Sequence, residues 1–246
     1  MHEITRDDIK KNLDIDTPVY IKEIYGDETG VHRDMYRVVL KQDDYAENPR
    51  EWDNVCTIVS GNGDQGIGDH GYRLEKDKMK SFIENLKTQP DTYWKYIYIY
   101  DHTGQTISLT PFNDPWDSGC CGVIFVTKET LQKECIGVTD ENWQQRAQQI
   151  AESEIEIYDA YISCEVYGYE IQQKQIVEHC NKTTGKKWET TEWEVADSCG
   201  GFYGSDLDKN GLIDYITSFA NNPHSETTFY VDDCPSLSYD DNGNII

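Results

Sequence analysis

The chain has 246 residues, with 22 lysines and arginines against 46 aspartates and glutamates, which gives a formal net charge of −24. This surplus excludes nonspecific nucleic-acid binding through a basic face, which needs clustered cations, and it disfavours binding to anionic membranes. The acids are dispersed and mixed with 17 Tyr, 6 Trp and 6 Phe, which is typical of a folded acidic body rather than a disordered tail.

Targeting signals and cysteines restrict the class further. No apolar run approaches the ~20 residues that a spanning helix needs, and the N-terminal residues lack the apolar core of a signal peptide, so we expect a cytoplasmic protein. The eight cysteines show neither a CxxC pair nor zinc-ribbon spacing. We therefore expect mostly buried free thiols, and no cofactor.

The first third of the chain predicts short elements joined by polar loops. A helix is expected within 1–16, and strands over 19–25 and 35–41 are expected to form a hairpin. A polar loop at 43–54 leads to a strand at 55–59. The glycine-rich segment 60–71 predicts a surface loop; its GNGDQG run only superficially resembles a phosphate cradle, because no lysine follows at P-loop spacing. Residues 74–87 predict an amphipathic helix with the core positions Met79, Phe82, Ile83 and Leu86.

The most apolar stretch of the chain lies at 95–128. Residues 96–100 alternate tyrosine and isoleucine, which predicts a strand covered on both faces. Residues 101–104 predict a tight turn into a second strand at 106–110, and two prolines make 111–119 an irregular loop. A third strand is expected at 122–126, followed by a helix that Thr127 caps.

The second half predicts one long helix and a long hairpin. The helix covers 140–160 and is capped by Thr139 or Asp140; its buried stripe is Trp143, Ala147, Ile150, Ala151, Ile155 and Tyr158. Strands are expected at 161–171, with a bulge at Gly168, at 175–180 and at 187–195, with a hairpin turn at 181–186 and a glycine-rich corner at 197–204. A helix follows over 212–219, and residues 222–246 are expected to fray. The whole predicts one α+β domain over 1–246: an antiparallel sheet with three or four helices packed against it.

One candidate catalytic group lies in the central stretch. His102 would act as base, Ser118, Cys120 or Cys121 as nucleophile, and Asp101 or Asp117 as orienting group. The alternative interpretation is that Asp101 and Asp117 form Asx turns and that Trp116 is buried in a core. We favour it because no nucleophile elbow or recognised spacing accompanies these residues.

Two acidic clusters are candidate partner-binding surfaces. Acidic residues gather at the C-terminal end of the long helix, where they oppose the helix dipole, and on the strand after the hairpin turn. The candidates are Glu152, Glu154, Glu156, Asp159, Glu189, Glu192 and Glu194. The alternative for the helical cluster is a solvated face.

A weak metal site is the third candidate. Asp206, Asp208, Asn210 and Asp214 match positions of an EF-hand loop. Thr217 stands where the bidentate glutamate should be, so the loop lacks its strongest ligand. The alternative is that Asp206 or Asp208 caps the following helix.

Several motifs together resemble a known family. They are PREWDN at 49–54, GDH at 68–70, YDHTG at 100–104, PFNDPWDSG at 111–119, GVIFVTKE at 122–129, YDAYISCEVYGY at 158–169 and DSCGGFYG at 197–204. They resemble a family of acidic proteins that bacteriophages and conjugative elements carry, mainly in Gram-positive hosts. The resemblance covers most of residues 45–220 and carries over no catalytic residue. It implies an accessory gene of a mobile element, acting in the host bacterial cytoplasm.

Charge and resemblance lead to one expected function. Genes of this kind often counter host defence, and acidic proteins that imitate DNA are a recurrent solution. We expect a non-enzymatic inhibitor of a host restriction or CRISPR nuclease. Its partner is a basic nucleic-acid-binding host protein rather than nucleic acid or a membrane. The alternatives are a small hydrolase-like enzyme around His102 and a calcium-binding accessory module.

Overall fold

The computed structural model describes residues 5–25, 33–61, 67–69, 73–221 and 227–228. In chain order the elements are α1 (Arg6–Asn12), β1 (Pro18–Tyr25), β2 (Arg33–Gln42), a short 3-10 helix (Pro49–Glu51), β3 (Thr57–Gly61), β4 (Arg73–Leu74), α2 (Lys76–Leu86), β5 (Thr92–Asp101), β6 (Gln105–Ser108), β7 (Ser118–Thr127), α3 (Lys128–Glu134), α4 (Trp143–Ile162), β8 (Val166–Cys180), β9 (Lys187–Tyr203), α5 (Leu212–Ala220) and β10 (Thr227–Thr228). The α+β class is confirmed. The prediction named one sheet, and the described strands form two.

The contacts divide the chain into two compact units. Unit 1 falls within 1–44, 166–202 and 206–246, and unit 2 comprises 45–165 and 203–205. Each unit contains one of the two sheets. The prediction of a single α+β domain over 1–246 stays a prediction.

Unit 1 is a five-stranded sheet in the order β10-β1-β2-β8-β9. β2 pairs antiparallel with both β1 and β8, which confirms the expected β1–β2 hairpin. α1 and α5 contribute apolar side chains to the core on one face. The buried members are Ile9, Val19, Val38, Leu40, Tyr169, Ile171, Phe202, Leu212, Ile213, Ile216 and Ala220.

Unit 2 is a five-stranded sheet in the order β4-β3-β7-β5-β6. α3 and α4 contribute to the core on one face, where Ile97 and Ile99 of β5 are buried. α2 packs on the other face, against Tyr96 and against Val123 of β7. Both faces of the central strands are therefore covered, as the alternation of tyrosine and isoleucine predicted.

Several local predictions are confirmed. Thr127 caps α3 by accepting a hydrogen bond from the Thr130 backbone N–H. The predicted apolar positions of α2 and the predicted stripe of α4 face the two cores of unit 2. The turn between β8 and β9 closes with a hydrogen bond from the Asn181 N–H to the Lys186 carbonyl, at 2.8 Å.

Three local predictions are wrong. α4 begins at Trp143, with Asn142 at its N-cap and no side-chain cap, so neither Thr139 nor Asp140 caps it. The helix also runs on to Ile162, where the sequence predicted a strand, because Ile162 packs on the same core as the rest of α4. The segment 197–204 is not a corner: β9 continues to Tyr203.

Gly168 is not a bulge either. It pairs in regular register with Lys41 of β2. A Cβ atom at this position would lie 2.8 Å from the Cys199 carbonyl oxygen of β9. The glycine is therefore needed for the close approach of two backbones rather than for an extra residue.

The described cysteines are thiols that form no disulfide with one another, but their burial was predicted too broadly. Cys56 and Cys121 are buried and Cys135 is half-buried, whereas Cys120, Cys164, Cys180 and Cys199 are exposed. Cys234 lies outside the described residues. So do most of the glycine-rich loop and the expected frayed end at 222–246, except for the two residues of β10.

Candidate functional site

The candidate catalytic residues lie at one end of the unit 2 sheet. β5 and β7 pair there through Tyr100 and Ser118, and the backbone N–H of Asp101 donates to the carbonyl of Asp117, at 2.9 Å. His102 Nδ1 lies 3.0 Å from a carboxylate oxygen of Asp117. The structure thus assembles a histidine–aspartate pair, with the imidazole 59% exposed.

No described nucleophile is hydrogen-bonded to this imidazole. The Ser118 hydroxyl donates to the backbone carbonyl of Asp114. The Cys120 thiol donates to the carbonyl of Gly122 at 3.6 Å. Although the residue as a whole is exposed, partial desolvation of its sulfur raises the pKa of this thiol. A nucleophile needs a base within hydrogen-bond reach or a lowered pKa, and neither candidate has one.

The alternative interpretation, in which Asp101 and Asp117 form Asx turns, is not seen as expected either. Asp101 accepts from the Gln105 side chain and Asp117 lies beside His102, whereas Asp114 accepts from the N–H groups of the turn. Trp116 is exposed rather than buried in a core.

The helical acids divide into two pairs. Glu152 and Glu156 are exposed on α4, whereas Glu154 and Asp159 are held inside unit 2. One carboxylate oxygen of Asp159 accepts hydrogen bonds from the Thr106 hydroxyl, at 2.8 Å, and the Ile107 backbone N–H, at 2.6 Å. Asp159 therefore fastens β6 to α4.

Glu154 belongs to a buried ion-pair cluster that the sequence analysis did not anticipate. Its members are Arg50, Asp69 and Glu154, which we call the Arg50 clasp; their side chains are 3%, 18% and 12% exposed. Arg50 Nε donates to Asp69 at 2.7 Å, and Nη1 donates to Glu154 at 2.8 Å. Burial opposes the charge of Arg50, but hydrogen bonds from the guanidinium to the two carboxylates outweigh it and raise the pKa of Arg50.

The remaining carboxylate oxygens of the clasp bind backbone. Glu154 accepts from the N–H groups of Val55 and Cys56, at 2.9 and 3.1 Å. Asp69 accepts from the N–H of Ile58, at 2.8 Å. The clasp therefore connects the 3-10 helix, the residues before β3, and α4. These contacts use most of the hydrogen-bonding capacity of its three side chains. It is a structural feature, and Glu154 is not available to a partner.

Gly68 places Asp69 in the clasp. Its φ of +98° is a left-handed conformation that L side chains rarely adopt, and a Cβ atom there would lie 3.2 Å from the Cβ of Ser60. The Gly68 N–H donates to the Tyr158 hydroxyl at 3.1 Å. The motif glycine thus turns the chain against β3 so that the next carboxylate reaches Arg50.

A sequence signal for the clasp existed. Counting in helical steps from Ala147, Ala151 and Tyr158 places Glu154 on the apolar stripe of α4. A carboxylate on a buried stripe requires a partner, because an unpaired buried charge is costly. Arg50 of PREWDN is that partner, and Asp69 of GDH is a second carboxylate that the same guanidinium binds.

The acids of β9 lie on a well-anchored strand. Glu189, Glu192 and Glu194 are all exposed. The neighbours of Glu189 are Trp188 and Thr190. The ring of His179 on β8 stacks on Trp188 with centroids 5.3 Å apart, and its Nε2 lies 2.6 Å from the Thr190 hydroxyl.

The next two glutamates flank a second anchor. Trp193 lies between Glu192 and Glu194, and the guanidinium of Arg37 on β2 is 4.2 Å from its ring centroid. Arg37 also donates to Gln172 of β8, at 2.8 Å. Each of these carboxylates of β9 is therefore next to a side chain that contacts β8 or β2 of the same sheet.

The turn of this hairpin has the opposite charge. Lys182, Lys186 and Lys187 are exposed at or beside the turn between β8 and β9. The hairpin is thus basic at its end and acidic along β9. A cationic partner would meet the strand rather than the turn.

The proposed calcium ligands all have protein donors. Asp206 accepts from the N–H groups of Asp208 and Lys209, and Asn210 accepts from the N–H of Leu212. Asp208 pairs with Lys10 and Arg6 of α1, and Asp214 lies 2.7 Å from Arg6. A calcium ion would have to displace these donors.

The described residues also lack other signs of a metal or a membrane segment. Among them, no group of three His, Cys, Asp or Glu side chains could hold a metal ion. None of the helices in the described ranges combines the length and apolarity that a membrane crossing requires.

The expected cap of α5 is wrong. The N-cap of α5 is Gly211, so neither Asp206 nor Asp208 caps that helix.

Comparison with protein-family models, curated proteins and solved structures gave no match. The resemblance to acidic proteins of mobile elements therefore stays an expectation from the sequence motifs.

Proposed function

We propose that this protein is a non-enzymatic inhibitor that binds a basic, nucleic-acid-binding protein through carboxylates on a rigid strand. The observation that carries the proposal is the anchoring of β9. Glu189, Glu192 and Glu194 are exposed, while Trp188 and Thr190 contact His179 of β8 and Trp193 contacts Arg37 of β2. Fixed charges lose little conformational entropy on binding, so they recognise a partner better than mobile ones.

The spacing of the β9 acids supports imitation of a phosphate backbone. Side chains two residues apart on a strand, such as Glu192 and Glu194, are separated by about 6.6 Å. Phosphates along one strand of DNA advance by roughly 3.4 Å each, so this separation is close to two phosphate steps. A channel lined with cations for DNA therefore offers complementary charges at a similar interval.

The context that we propose is defence against a host nuclease. A restriction or CRISPR nuclease has a basic channel that contacts the nucleic-acid backbone, and occupying that channel blocks the substrate. Glu152 and Glu156 of α4 are further exposed acids and secondary candidates for contact. Enzyme activity forms no part of the proposal, because neither Ser118 nor Cys120 is activated as a nucleophile.

A plating assay tests the proposal. Bacteria with a defined restriction or CRISPR system and expressing this protein are infected with phage that the system targets, and we expect plating to be restored for at least one system. The triple variant E189Q/E192Q/E194Q should lose this protection. The control variant D7N/D14N/D44N removes the same charge from exposed acids of unit 1 outside β9 and should keep it. No protection by the parent against any system, or equal protection by both triple variants, would reject the role of β9.

A further inference from the structure

The end of the unit 2 sheet combines aromatic rings with negative charge. Residues 96–127 contain no lysine or arginine. Along β5 the side chains of Trp94, Tyr96 and Tyr98 form a row with ring centroids 5.2 and 6.3 Å apart. Alternate residues of a strand share a face, so this row continues through Tyr100 toward the β5–β6 turn.

The row ends in a connected group of side chains. The centroid of the Tyr100 ring lies 5.9 Å from that of Phe112 and 6.4 Å from that of His102. His102 Nδ1 in turn lies 3.0 Å from a carboxylate oxygen of Asp117. We call this group, together with Asp101 and Trp116, which adjoin its members in sequence, the aromatic tip; it consists of Tyr100, Asp101, His102, Phe112, Trp116 and Asp117.

Trp116 is the most exposed member of the aromatic tip. Its side chain is 90% exposed, although its backbone is held by a hydrogen bond from its N–H to Asp114 Oδ1, at 2.8 Å. Asp114 also accepts from the Asp117 N–H, at 3.0 Å. These two backbone hydrogen bonds lower the pKa of Asp114, so it is charged at neutral pH. The turn therefore presents a large apolar ring to solvent within a negatively charged surface.

This combination of groups favours one kind of ligand. Aromatic faces attract cations, and carboxylates beside them strengthen the attraction. Arginine suits such a surface better than lysine, because its planar guanidinium stacks on rings and binds carboxylates in a fork. The surrounding aspartates, Asp101 and Asp117, disfavour nucleic acid and other anions.

We propose that the aromatic tip is a docking site for arginine side chains of a basic protein partner, with Trp116 as its principal contact. Exposed tryptophans at ordered positions are frequent hot spots of interfaces. The proposal rests on the proposed function only for the identity of the partner. Recognition of arginine by the tip is a property of unit 2, whereas the acids of β9 belong to unit 1.

Calorimetric titration with a nona-arginine peptide tests this site. At about 0.15 M salt, where surface charges beyond ~8 Å are screened, we expect binding that is tighter than for nona-lysine. W116A should weaken binding of nona-arginine about tenfold, as expected for loss of a cation–π contact of ~1.4 kcal/mol. The matched control is Y45A, which removes another aromatic side chain of unit 2 that is 95% exposed.

The outcomes separate the explanations. Both variants keep the charge of the parent, so a loss confined to W116A cannot arise from general attraction to an acidic protein. Equal binding by parent, W116A and Y45A would overturn the proposal. So would self-association that depends on Trp116 and is detected by light scattering without peptide, because the occupant would then be a second copy. Arginine binding at Trp116 together with a failed plating assay would reject the proposed function and leave the docking site standing.

Discussion

Arg50 is the cation that neutralises two carboxylates inside unit 2. Its side chain is 3% exposed, and it binds Asp69 through two nitrogens and Glu154 through a third. The pair of acids also binds three backbone N–H groups that precede or enter β3. Removing the guanidinium would leave two buried carboxylates without their counter-charge.

We therefore predict that R50A lowers the free energy of unfolding by about 3–5 kcal/mol, the usual cost of breaking a buried ion pair by removing one partner. R50K should be destabilised as well, because lysine keeps the charge but loses the bidentate geometry. Urea denaturation followed by circular dichroism measures both effects.

Arg146 provides the control for this prediction. It is an exposed arginine of α4 that donates to Gln149, at 3.2 Å. R146A should change the free energy of unfolding by no more than about 0.5 kcal/mol. If R50A unfolded at the same urea concentration as R146A, the clasp would not be the stabilising feature that its contacts indicate.

At the scale of elements, α1 is held to the loop before α5 by charge as well as by burial. Ile9 is buried in the unit 1 core, and Lys10 and Arg6 pair with Asp208. The hydrogen bond with Asp208 raises the pKa of Lys10, and the same bond lowers the pKa of Asp208. The loop before α5 that resembles a calcium site thus binds α1 through Asp208.

These two shifts define a pH window. The stability from Asp208 is full above its unfolded pKa of about 3.9 and is lost as pH falls through its lower folded value. The stability from Lys10 is full below its unfolded pKa of about 10.4 and is lost as pH rises through its higher folded value. We expect D208N to return the pKa of Lys10 toward its ordinary value in an NMR titration.

A second aspartate serves as the comparison for this titration. Asp7 makes the smallest contribution among the groups that raise the pKa of Lys10, so D7N should leave it nearly unchanged. A Lys10 that titrates identically in D208N and in the parent would show that the ion pair does not form in solution.

Element types were largely predictable because their periodicity is set by local geometry. The alternation at 96–100, the stripe of α4 and the hairpin turn at 181–186 each predicted the observed element. The boundary at 161–171 failed because strand propensity competed with packing of Tyr161 and Ile162 on the core. Propensity is weak beside such burial.

The site was less predictable because it depends on pairing between distant residues. Composition alone makes every acid of α4 look solvated. Helical spacing places Glu154 on the buried stripe, but its partner Arg50 and the contact of Asp159 with β6 are seen only in the structure. The same holds for the calcium-like loop, whose acids are bound by α1 about 200 residues earlier in sequence.

At the scale of the whole molecule, the dominant property is the net charge of −24. Basic and acidic residues occur in both units, and the acidic excess is shared between them rather than confined to one. Mutual repulsion of these charges opposes the folded state, and salt screens it. Added salt should therefore stabilise the free protein, because it screens this repulsion. It should weaken the proposed complex, because it also screens the attraction to a cationic partner.

We predict that added salt raises the melting temperature of the free protein. Between about 0.02 and 0.3 M sodium chloride, where the screening length shortens severalfold, scanning calorimetry should show an increase of several degrees. E189Q/E192Q/E194Q should show a smaller increase, because part of the repulsion is already removed. A melting temperature that stays constant or falls as salt is added would contradict the inference that repulsion among the acidic residues destabilises the folded protein.

The most direct test of the central claim is competition with DNA for a purified nuclease that the plating assay identifies. A labelled oligonucleotide is bound to the nuclease, and its fluorescence anisotropy is followed as this protein is added at low and at physiological salt. We predict release of the oligonucleotide that weakens as salt rises and is reduced about tenfold in E189Q/E192Q/E194Q but not in D7N/D14N/D44N. An oligonucleotide that stays bound at every salt concentration, or that both triple variants release equally well, would contradict the claim that anchored carboxylates of β9 occupy a nucleic-acid channel.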